Sequence, residues 1–254
     1  MKILVIGDSC QDMFRYGTCD RLSPEAPVPV MKPTRNYGSG GMAINVFENL
    51  KALGVDCDII TNDIRPVKTR YVDEISNQML LRVDENDRIE SLTANEFEAI
   101  DFNKYDVIVI SDYNKGYLSD VDIRLITEKH PLVFMDTKKK IGNWARGVEF
   151  IKFNYKEFKE NYDWLLNNII DNNSNLIVTN GKYGSILNMS EIFSIESEHS
   201  VRDLSGAGDT FLAALVADYI KNNDIRSAIR FANKCAAWVV SQKGVVIVNP
   251  DMVL

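Results

Sequence analysis

Short apolar runs alternate along the chain with segments in which apolar residues follow a helical spacing. Residues 2–6 form one such run and predict a buried strand. Residues 42–53 bring Ile44, Leu50 and Leu53 to one face of a predicted helix, which Gly54 ends. Further strands are predicted at residues 107–110, 132–135, 150–153 and 176–178.

This alternation predicts an α/β fold. Residues 119–122 resemble a capping box and predict a helix to about residue 129, between two of the strands. We therefore expect a doubly wound, mostly parallel sheet with helices on both faces. Ligands of such sheets bind beyond the carboxyl ends of the strands. The length of 254 residues fits a single domain, residues 1–254.

Two regions interrupt the alternation. Residues 13–37 are rich in turns and contain four prolines, and residues 67–84 contain short alternating patches. Both read as antiparallel ribbons that stand away from the main sheet, and we interpret them as a small β lid over the site. An ordinary hairpin at the sheet edge explains their composition equally well.

Charge and composition exclude several classes of function. The net charge is -7, which argues against nucleic acid as a partner. No apolar run is long enough to span a membrane, and the first apolar run is too short for a secretion signal, so we expect a cytoplasmic protein with no membrane partner. Four scattered cysteines and two histidines favour neither a disulfide framework, nor a zinc site, nor a histidine-dependent hydrolase.

The segment of residues 202–221 carries the clearest chemical signal. It predicts a buried helix that begins at Gly206-Ala207-Gly208-Asp209. Small residues at a helix start let a ligand approach unpaired backbone amides, and the helix dipole favours an anion there. Asp209 at the same place can accept a proton from an attacking hydroxyl, or it can simply cap the helix. The residues alone leave both roles open.

Nucleotide fingerprints of other folds do not fit. Residues 38–43 match G-x-G-x-x-A formally, but no buried strand precedes them, so the dinucleotide-binding context is missing. The chain also contains no G-x-x-x-x-G-K-[ST] motif.

Four motifs in order instead resemble the ribokinase (PfkB) type of carbohydrate kinase. They are G-G-x-x-x-N at residues 40–45, N-x-x-E at residues 154–157, T-x-G at residues 179–181, and G-A-G-D at residues 206–209 with Asp203 before it. Within that family, residues 21–30, 111–116 and 68–84 resemble D-glycero-D-manno-heptose-7-phosphate kinases. The chain departs from the family pattern after residue 62, where we expect a helix–strand unit of roughly 30 residues to be missing.

The resemblance implies an ATP-dependent transfer of the γ-phosphate to a sugar hydroxyl, O1 of D-glycero-D-manno-heptose 7-phosphate. A kinase for ribose, a ketose such as fructose, or a nucleoside is one alternative. A protein that binds sugar or nucleotide without catalysis is another. Relatives often dimerise through the lid, so a homodimer is expected.

The resemblance also implies roles for residues at the donor side. Asp209 is the base, and the backbone amides of Gly206, Ala207 and Gly208 stabilise the transferred phosphoryl group. The residues implied for ATP and its Mg²⁺ are Thr179, Gly181 and Asn233 for the nucleotide, and Asn154 and Glu157, through water, for the metal. Without the resemblance, Asn154 and Glu157 fit a solvated loop-to-helix turn, and Asn233 fits a buried hydrogen bond.

At the acceptor side the resemblance implies that Asp12, which we place at the end of the first strand, binds sugar hydroxyls together with Gly40, Gly41 and Asn45. Asp8 either joins them or caps its loop. The candidate ligands of the distal phosphate are Arg70, Lys115 and Lys138, for which exposed salt bridges are the alternative. Asp203 and Ser205 are candidate ligands of a monovalent cation, K⁺.

Overall fold

The computed structural model describes residues 1–168, 175–195 and 200–253. The strands are β1 (Lys2–Gly7), β2 (Ser9–Thr18), β3 (Lys32–Met42), β4 (Asp56–Thr61), β5 (Val67–Asp73), β6 (Met79–Glu85), β7 (Val107–Asp112), β8 (Val133–Thr137), β9 (Phe150–Asn154), β10 (Asn175–Thr179), β11 (Ser185–Leu187) and β12 (Glu191–Phe193). The helices are α1 (Ala43–Ala52), α2 (Ala94–Glu98), α3 (Asp120–Lys129), α4 (Tyr155–Asn168), α5 (Ala207–Asn222) and α6 (Ile225–Val240).

Eight strands form the main sheet, in the order β12-β11-β10-β9-β8-β7-β1-β4. The strands from β4 to β10 pair in parallel, whereas β11 and β12 pair in antiparallel fashion at one edge. Every predicted strand is present, and the capping box of Ser119 and Asp122 opens α3 as expected. The apolar pattern did not predict β11 and β12, which have three residues each.

The main sheet is buried on both faces, which explains why its strands are continuous apolar runs. On β1, Ile3 and Val5 face one core, which α1, α5 and α6 complete. Leu4 and Ile6 face the other core, which contains side chains of α2, α3 and α4. The expected doubly wound sheet with helices on both faces is therefore confirmed. Within the described residues, no helix is long and apolar enough to cross a membrane.

The second sheet has four strands in the order β3-β2-β5-β6 and forms the lid. The pairs β2–β3 and β5–β6 are antiparallel, as expected, and the parallel pair β2–β5 joins them into one sheet. Phe14, Tyr16 and Val72 of this sheet cluster with Val245, which anchors the lid to the body. The position expected for Asp12 was wrong. It lies within lid strand β2 rather than at the end of β1, because Gly7 ends β1 and the chain enters the lid directly.

Candidate active site

The N-terminus of α5 lies at the edge of the main sheet where the parallel strands end. Gly206 caps the helix with φ 80°, a left-handed conformation that favours glycine. A Cβ atom on Gly206 would lie 2.8 Å from Nδ2 of Asn45, so a larger residue would collide with α1. The Ala207 amide donates to the Leu204 carbonyl at 3.4 Å, which leaves the following first-turn amides as the better-placed donors to an anion.

Asp209 occupies the first turn of α5 and is almost fully buried. Its Oδ2 accepts a hydrogen bond from Nδ2 of Asn45 at 3.0 Å, and its Oδ1 accepts one from the Tyr113 hydroxyl at 2.6 Å. Burial raises the pKa of Asp209 to about 6, against the opposing effect of these two hydrogen bonds. The carboxyl is therefore ionised at neutral pH but basic enough to accept a proton, as a general base requires.

A buried lysine and a buried aspartate lie beside the start of α5. Lys152 on β9 forms an ion pair with Asp136 on β8, the residue directly across from it in the parallel ladder. A Cβ atom on Gly208 would lie 3.2 Å from the Lys152 ammonium, which places that charge next to the helix start. Burial opposes ionisation of Asp136, but Lys152 and Lys138 outweigh it and lower the pKa of Asp136.

Lys138 links this pair to the motif at residues 154–157. Its ammonium lies 3.0 Å from Asp136 Oδ1 and 2.7 Å from Glu157 Oε1. Burial lowers the pKa of Lys138, but the carboxylates of Asp136 and Glu157 raise it by more, so the ammonium stays charged. Alternating basic and acidic residues thus form a connected chain along one side of the site.

Asn154 and Glu157 form a reciprocal cap at the start of α4. The Asn154 amide donates to Glu157 Oε2 at 2.8 Å, and the Glu157 amide donates to Asn154 Oδ1 at 2.9 Å. Their oxygens are hard donors that suit Mg²⁺, and both are already hydrogen-bonded, which fits contact through water better than direct ligation. Within the described residues, no group of three acidic, histidine or cysteine side chains could hold a metal by itself.

Two adjoining cavities open beside α5. The larger, of about 620 Å³, is lined mostly by residues with charged or polar groups and reaches from Tyr113, Lys138 and Lys152 to Thr179 and Gly181; we call it the polar cavity. The smaller, of about 210 Å³, has mostly apolar walls that include Leu204, Phe211, Ala236 and Val240. Thr179, Gly181 and Gly208 line both cavities. A polar compartment joined to an apolar one fits the phosphates and the base of a nucleotide, respectively.

Asn233 faces the apolar cavity from α6, and its side chain also donates to the Phe193 carbonyl at 3.0 Å. Both interpretations of this residue are therefore compatible with its position. The buried hydrogen bond fixes the amide in the cavity wall.

The lid reaches the site through Lys68 on β5, whose ammonium lies 5.8 Å from the centre of the Tyr113 ring. Asp12 on β2 pairs with Arg70 on the neighbouring strand β5, and both side chains are largely buried. A Cβ atom on Gly41 would lie 2.2 Å from Asp12 Oδ2, so glycine at this position makes room for the carboxylate. A Cβ atom on Gly40 would lie 2.0 Å from a methyl group of Ile44. The G-G-x-x-x-N motif thus lets the lid pack closely against α1, which carries Asn45.

Other predicted residues have partners of their own. Asp8 is fully buried, and its carboxylate accepts hydrogen bonds from the amides of Tyr113, Lys115 and Tyr117. These bonds match the loop-capping interpretation of Asp8. The Lys115 ammonium forms an ion pair with Asp87 at 2.6 Å.

Asp203 organises the loop before α5. Its Oδ1 accepts from the Ser205 amide at 2.8 Å, and its Oδ2 accepts from the Gly244 amide at 3.2 Å. The structure thus brings Asp203 and Ser205 together, in a loop that leads directly to Gly206.

Sequence reasoning missed three residues of this site: Tyr113, Asp136 and Lys152. Lys152 did leave a signal, because it interrupts the apolar run of residues 150–153. A lysine inside a buried strand needs a charged partner, and Asp136 directly follows the adjacent predicted strand, which is itself entirely apolar. Tyr113 gave no such signal, since a tyrosine after a strand is compatible with many roles.

Comparison with known proteins agrees with this geometry. Residues 94–252 match a protein family described as "pfkB family carbohydrate kinase". The bifunctional protein HldE of a Nitratiruptor species is 32% identical over 96% of the chain and 62% of its own length. HldE of Helicobacter acinonychis is 30% identical over 96% of the chain and 63% of its own length. The chain thus spans less than two thirds of the length of these curated relatives.

Solved structures show the same fold at low sequence identity. A ribokinase from Thermotoga maritima superposes with a TM-score of 0.72 at 17% identity, over 98% of this chain and 97% of that one. Phosphofructokinase-2 from Escherichia coli, in complex with potassium, superposes with a TM-score of 0.76 at 14% identity, over 99% of this chain and 96% of that one. The fold is therefore ribokinase-like.

Fold and site together define a phosphotransferase that uses an alcohol group as acceptor. The chain belongs to the pfkB family of carbohydrate kinases. Membership of this family implies ATP as the donor and typically Mg²⁺. The alignment with the Nitratiruptor protein has 288 positions, more than the 254 residues of the chain, so that relative contains residues that this chain lacks. The direct connection from β4 to β5 by residues 62–66 is consistent with the predicted loss of a unit there.

Proposed function

We propose that this kinase transfers the γ-phosphate of ATP to O1 of D-glycero-D-manno-heptose 7-phosphate. The observation that carries the proposal is the buried Asp209 at the start of α5, whose carboxylate is hydrogen-bonded to Asn45 and to Tyr113, a residue that lines the polar cavity. The choice of a heptose rests on the similarity to HldE proteins at about 30% identity and on the lid motifs.

On the donor side, we propose that the adenine lies in the apolar cavity beside Asn233, with Thr179 and Gly181 along the nucleotide. The phosphates then extend through the polar cavity to the amides of residues 206–208. Lys152 adds positive charge where the terminal phosphoryl group would sit, since it lines that cavity beside Gly208. Mg²⁺, held through water by Asn154 and Glu157, would neutralise charge on the phosphates.

On the acceptor side, Asp12, Asn45 and the backbone at Gly40 and Gly41 hold the sugar hydroxyls. The acceptor O–H gives its proton to Asp209, a new O–P bond forms, and the bond to the β-phosphate oxygen breaks, which leaves ADP. Asn45 both steadies the carboxylate and lies next to Gly206, so it fixes the base relative to the helix start.

The distal phosphate of the substrate needs cations. Arg70, Lys115 and Lys138 remain the proposed ligands, although each has an acidic partner that the phosphate would have to share. Lys68 is an additional candidate, because no ion pair of Lys68 is found in the described part of the chain. Its ammonium lies over the Tyr113 ring, 5.8 Å from the ring centre, on the same side of the site.

The proposal also covers the domain organisation, the cellular compartment, the monovalent cation and the role of Asp8. Residues 1–254 act as one kinase domain in the cytoplasm. Asp203 and Ser205 hold K⁺ next to the anion site; activity in K⁺ should then exceed activity in choline, and Asp203→Asn should reduce this difference. Asp8 takes part only as the cap of the loop after β7.

The lid edge is the proposed surface for a homodimer. All seven residues of edge strand β6 are exposed, including the apolar Met79, Leu81 and Val83. A second lid would cover this apolar edge. Sedimentation of Leu81→Lys should then show a monomer under conditions in which the parent chain is a dimer; a parent chain that sediments as a monomer would refute the interface.

A sugar panel in a coupled ADP-release assay tests the substrate. Heptose 7-phosphate should give the highest kcat/KM, ahead of unphosphorylated heptose, ribose, fructose and nucleosides. Turnover with unphosphorylated sugars alone would refute the heptose phosphate assignment. Calorimetric binding of ATP and sugar without ADP release from any of them would favour the non-catalytic alternative.

A further inference from the structure

Tyr113 lies at the centre of the site, and no step described so far uses it. Its hydroxyl donates a hydrogen bond of 2.6 Å to Asp209 Oδ1, while Asn45 holds the other carboxylate oxygen. The ring lines the polar cavity. The proposed base therefore has one polar partner from α1 and one from the loop that follows β7.

The position of Tyr113 is fixed from both of its ends. Its backbone amide donates to Asp8 at 2.6 Å, and Asp8 is a fully buried carboxylate that holds two further amides of the same loop. The ammonium groups of Lys138 and Lys68 lie 5.2 Å and 5.8 Å from the centre of its ring. Cations at this range interact favourably with an aromatic ring. The phenol is thus anchored, rather than a loose side chain that happens to reach Asp209.

We propose that Tyr113 is a positioning residue for Asp209: its hydroxyl fixes Oδ1 and stabilises the ionised carboxylate, so that Oδ2 receives the proton of the acceptor hydroxyl. The inference rests on the proposed role of Asp209 as the base. The phenol keeps its own proton throughout, and the acceptor proton moves to Oδ2, which retains a free lone pair beside its bond from Asn45.

The charged surroundings agree with this role. Burial raises the pKa of Asp209 to about 6, and the hydrogen bonds from Tyr113 and Asn45 oppose that rise. Other titratable groups near the carboxylate are Asp136 on β8, Lys152 on β9 and the Cys10 thiol on β2. Burial and the neighbouring carboxylates raise the pKa of Tyr113 well above its usual value, so the phenol remains a donor at neutral pH.

The test is the pH dependence of kcat/KM in Tyr113→Phe, because this parameter reports the free enzyme, whose contacts are those described. A hydrogen bond to a charged group is strong enough that its loss should raise the pKa of Asp209. The acidic side of the pH profile of kcat/KM, its acid limb, should therefore shift to higher pH by about one pH unit or more. At pH 6 the variant should then be about fivefold slower relative to the parent chain than at pH 9. A purely structural role would lower activity equally at both pH values and would overturn the proposal.

Tyr117→Phe is the matched control. It removes the same hydroxyl from the same loop, on a side chain that faces a different cavity, so its acid limb should stay in place. Thermal unfolding of both variants shows whether they fold. An acid limb that stays unchanged in folded Tyr113→Phe would refute the inference while leaving the kinase assignment intact.

A second measurement does not depend on turnover. Carboxyl ¹³C NMR, with the Asp209 signal assigned from Asp209→Asn, gives the pKa of Asp209 in the parent chain and in Tyr113→Phe. We expect the pKa of Asp209 to be higher in Tyr113→Phe than in the parent chain, by the same amount as the acid limb shifts. If the parent chain phosphorylates no sugar, the proposed function fails, yet this titration still decides whether Tyr113 stabilises the ionised carboxylate; an unchanged pKa would contradict that.

Discussion

Replacing Lys152 by methionine tests the buried ion pair beside the start of α5. Lys152 and Asp136 are both almost fully buried, so the substitution leaves a carboxylate without its nearest counter-charge. Loss of one partner of such a pair costs about 3–5 kcal/mol. Lys138 remains 3.0 Å from the other oxygen of Asp136, so we expect the lower end of this range, about 3 kcal/mol.

The assay is urea unfolding at several pH values, supported by thermal unfolding. A loss of about 3 kcal/mol lowers the midpoint of thermal unfolding by roughly 6–12 °C in a chain of this size. In the parent chain Lys152 and Lys138 lower the pKa of Asp136, and the resulting stabilisation is lost only when the pH falls through that lowered value.

In the variant, Lys138 alone opposes the effect of burial on Asp136, so the pKa of Asp136 is higher than in the parent chain. Protonation then removes the buried charge as the pH falls, and the difference in stability between the two proteins should narrow from pH 7 to about pH 5. Lys156→Met is the control, since its side chain is exposed on α4 and its pair with Glu160 is a surface pair. A Lys152→Met variant as stable as this control, or a difference independent of pH, would refute the reasoning.

Three further outcomes follow from the site. Gly41→Ala places a methyl group where Asp12 Oδ2 now lies, so the KM for the sugar should rise at least tenfold while ATP affinity, measured by calorimetry, stays the same. The kcat/KM of the parent chain should fall about tenfold per pH unit below the Asp209 pKa of about 6, because the base must be ionised; a flat profile of kcat/KM down to pH 5 would contradict this. Glu157→Gln removes the negative charge of a proposed Mg²⁺ ligand, so the Mg²⁺ concentration for half-maximal activity should increase several-fold, whereas Glu160→Gln on the same helix should leave it unchanged.

Local sequence signals predicted the fold because most of its elements are long or strongly periodic. The start of α5 was placed correctly at residues 206–209, because glycines at a helix start and a buried apolar stretch after them are both local features. Strands β11 and β12 were missed, since three residues are too few to show a period.

Contacts across long distances in the chain were harder to predict. Asp8 accepts hydrogen bonds from amides more than 100 residues away, and nothing near Asp8 in the sequence indicates them. The Tyr113 hydroxyl meets Asp209 across 96 residues, for the same reason. Asp12 was assigned to the wrong strand because the chain leaves β1 and enters the lid within two residues, without a turn signal between them.

The role of Asp209 is the central claim, and Asp209→Asn tests it most directly. Asparagine keeps the size of the side chain but cannot accept the acceptor proton. We expect kcat to fall by about a hundredfold to ten-thousandfold, while calorimetry shows ATP bound with an affinity within a few-fold of the parent chain. A variant that binds ATP and still turns over within tenfold of the parent chain would contradict the account.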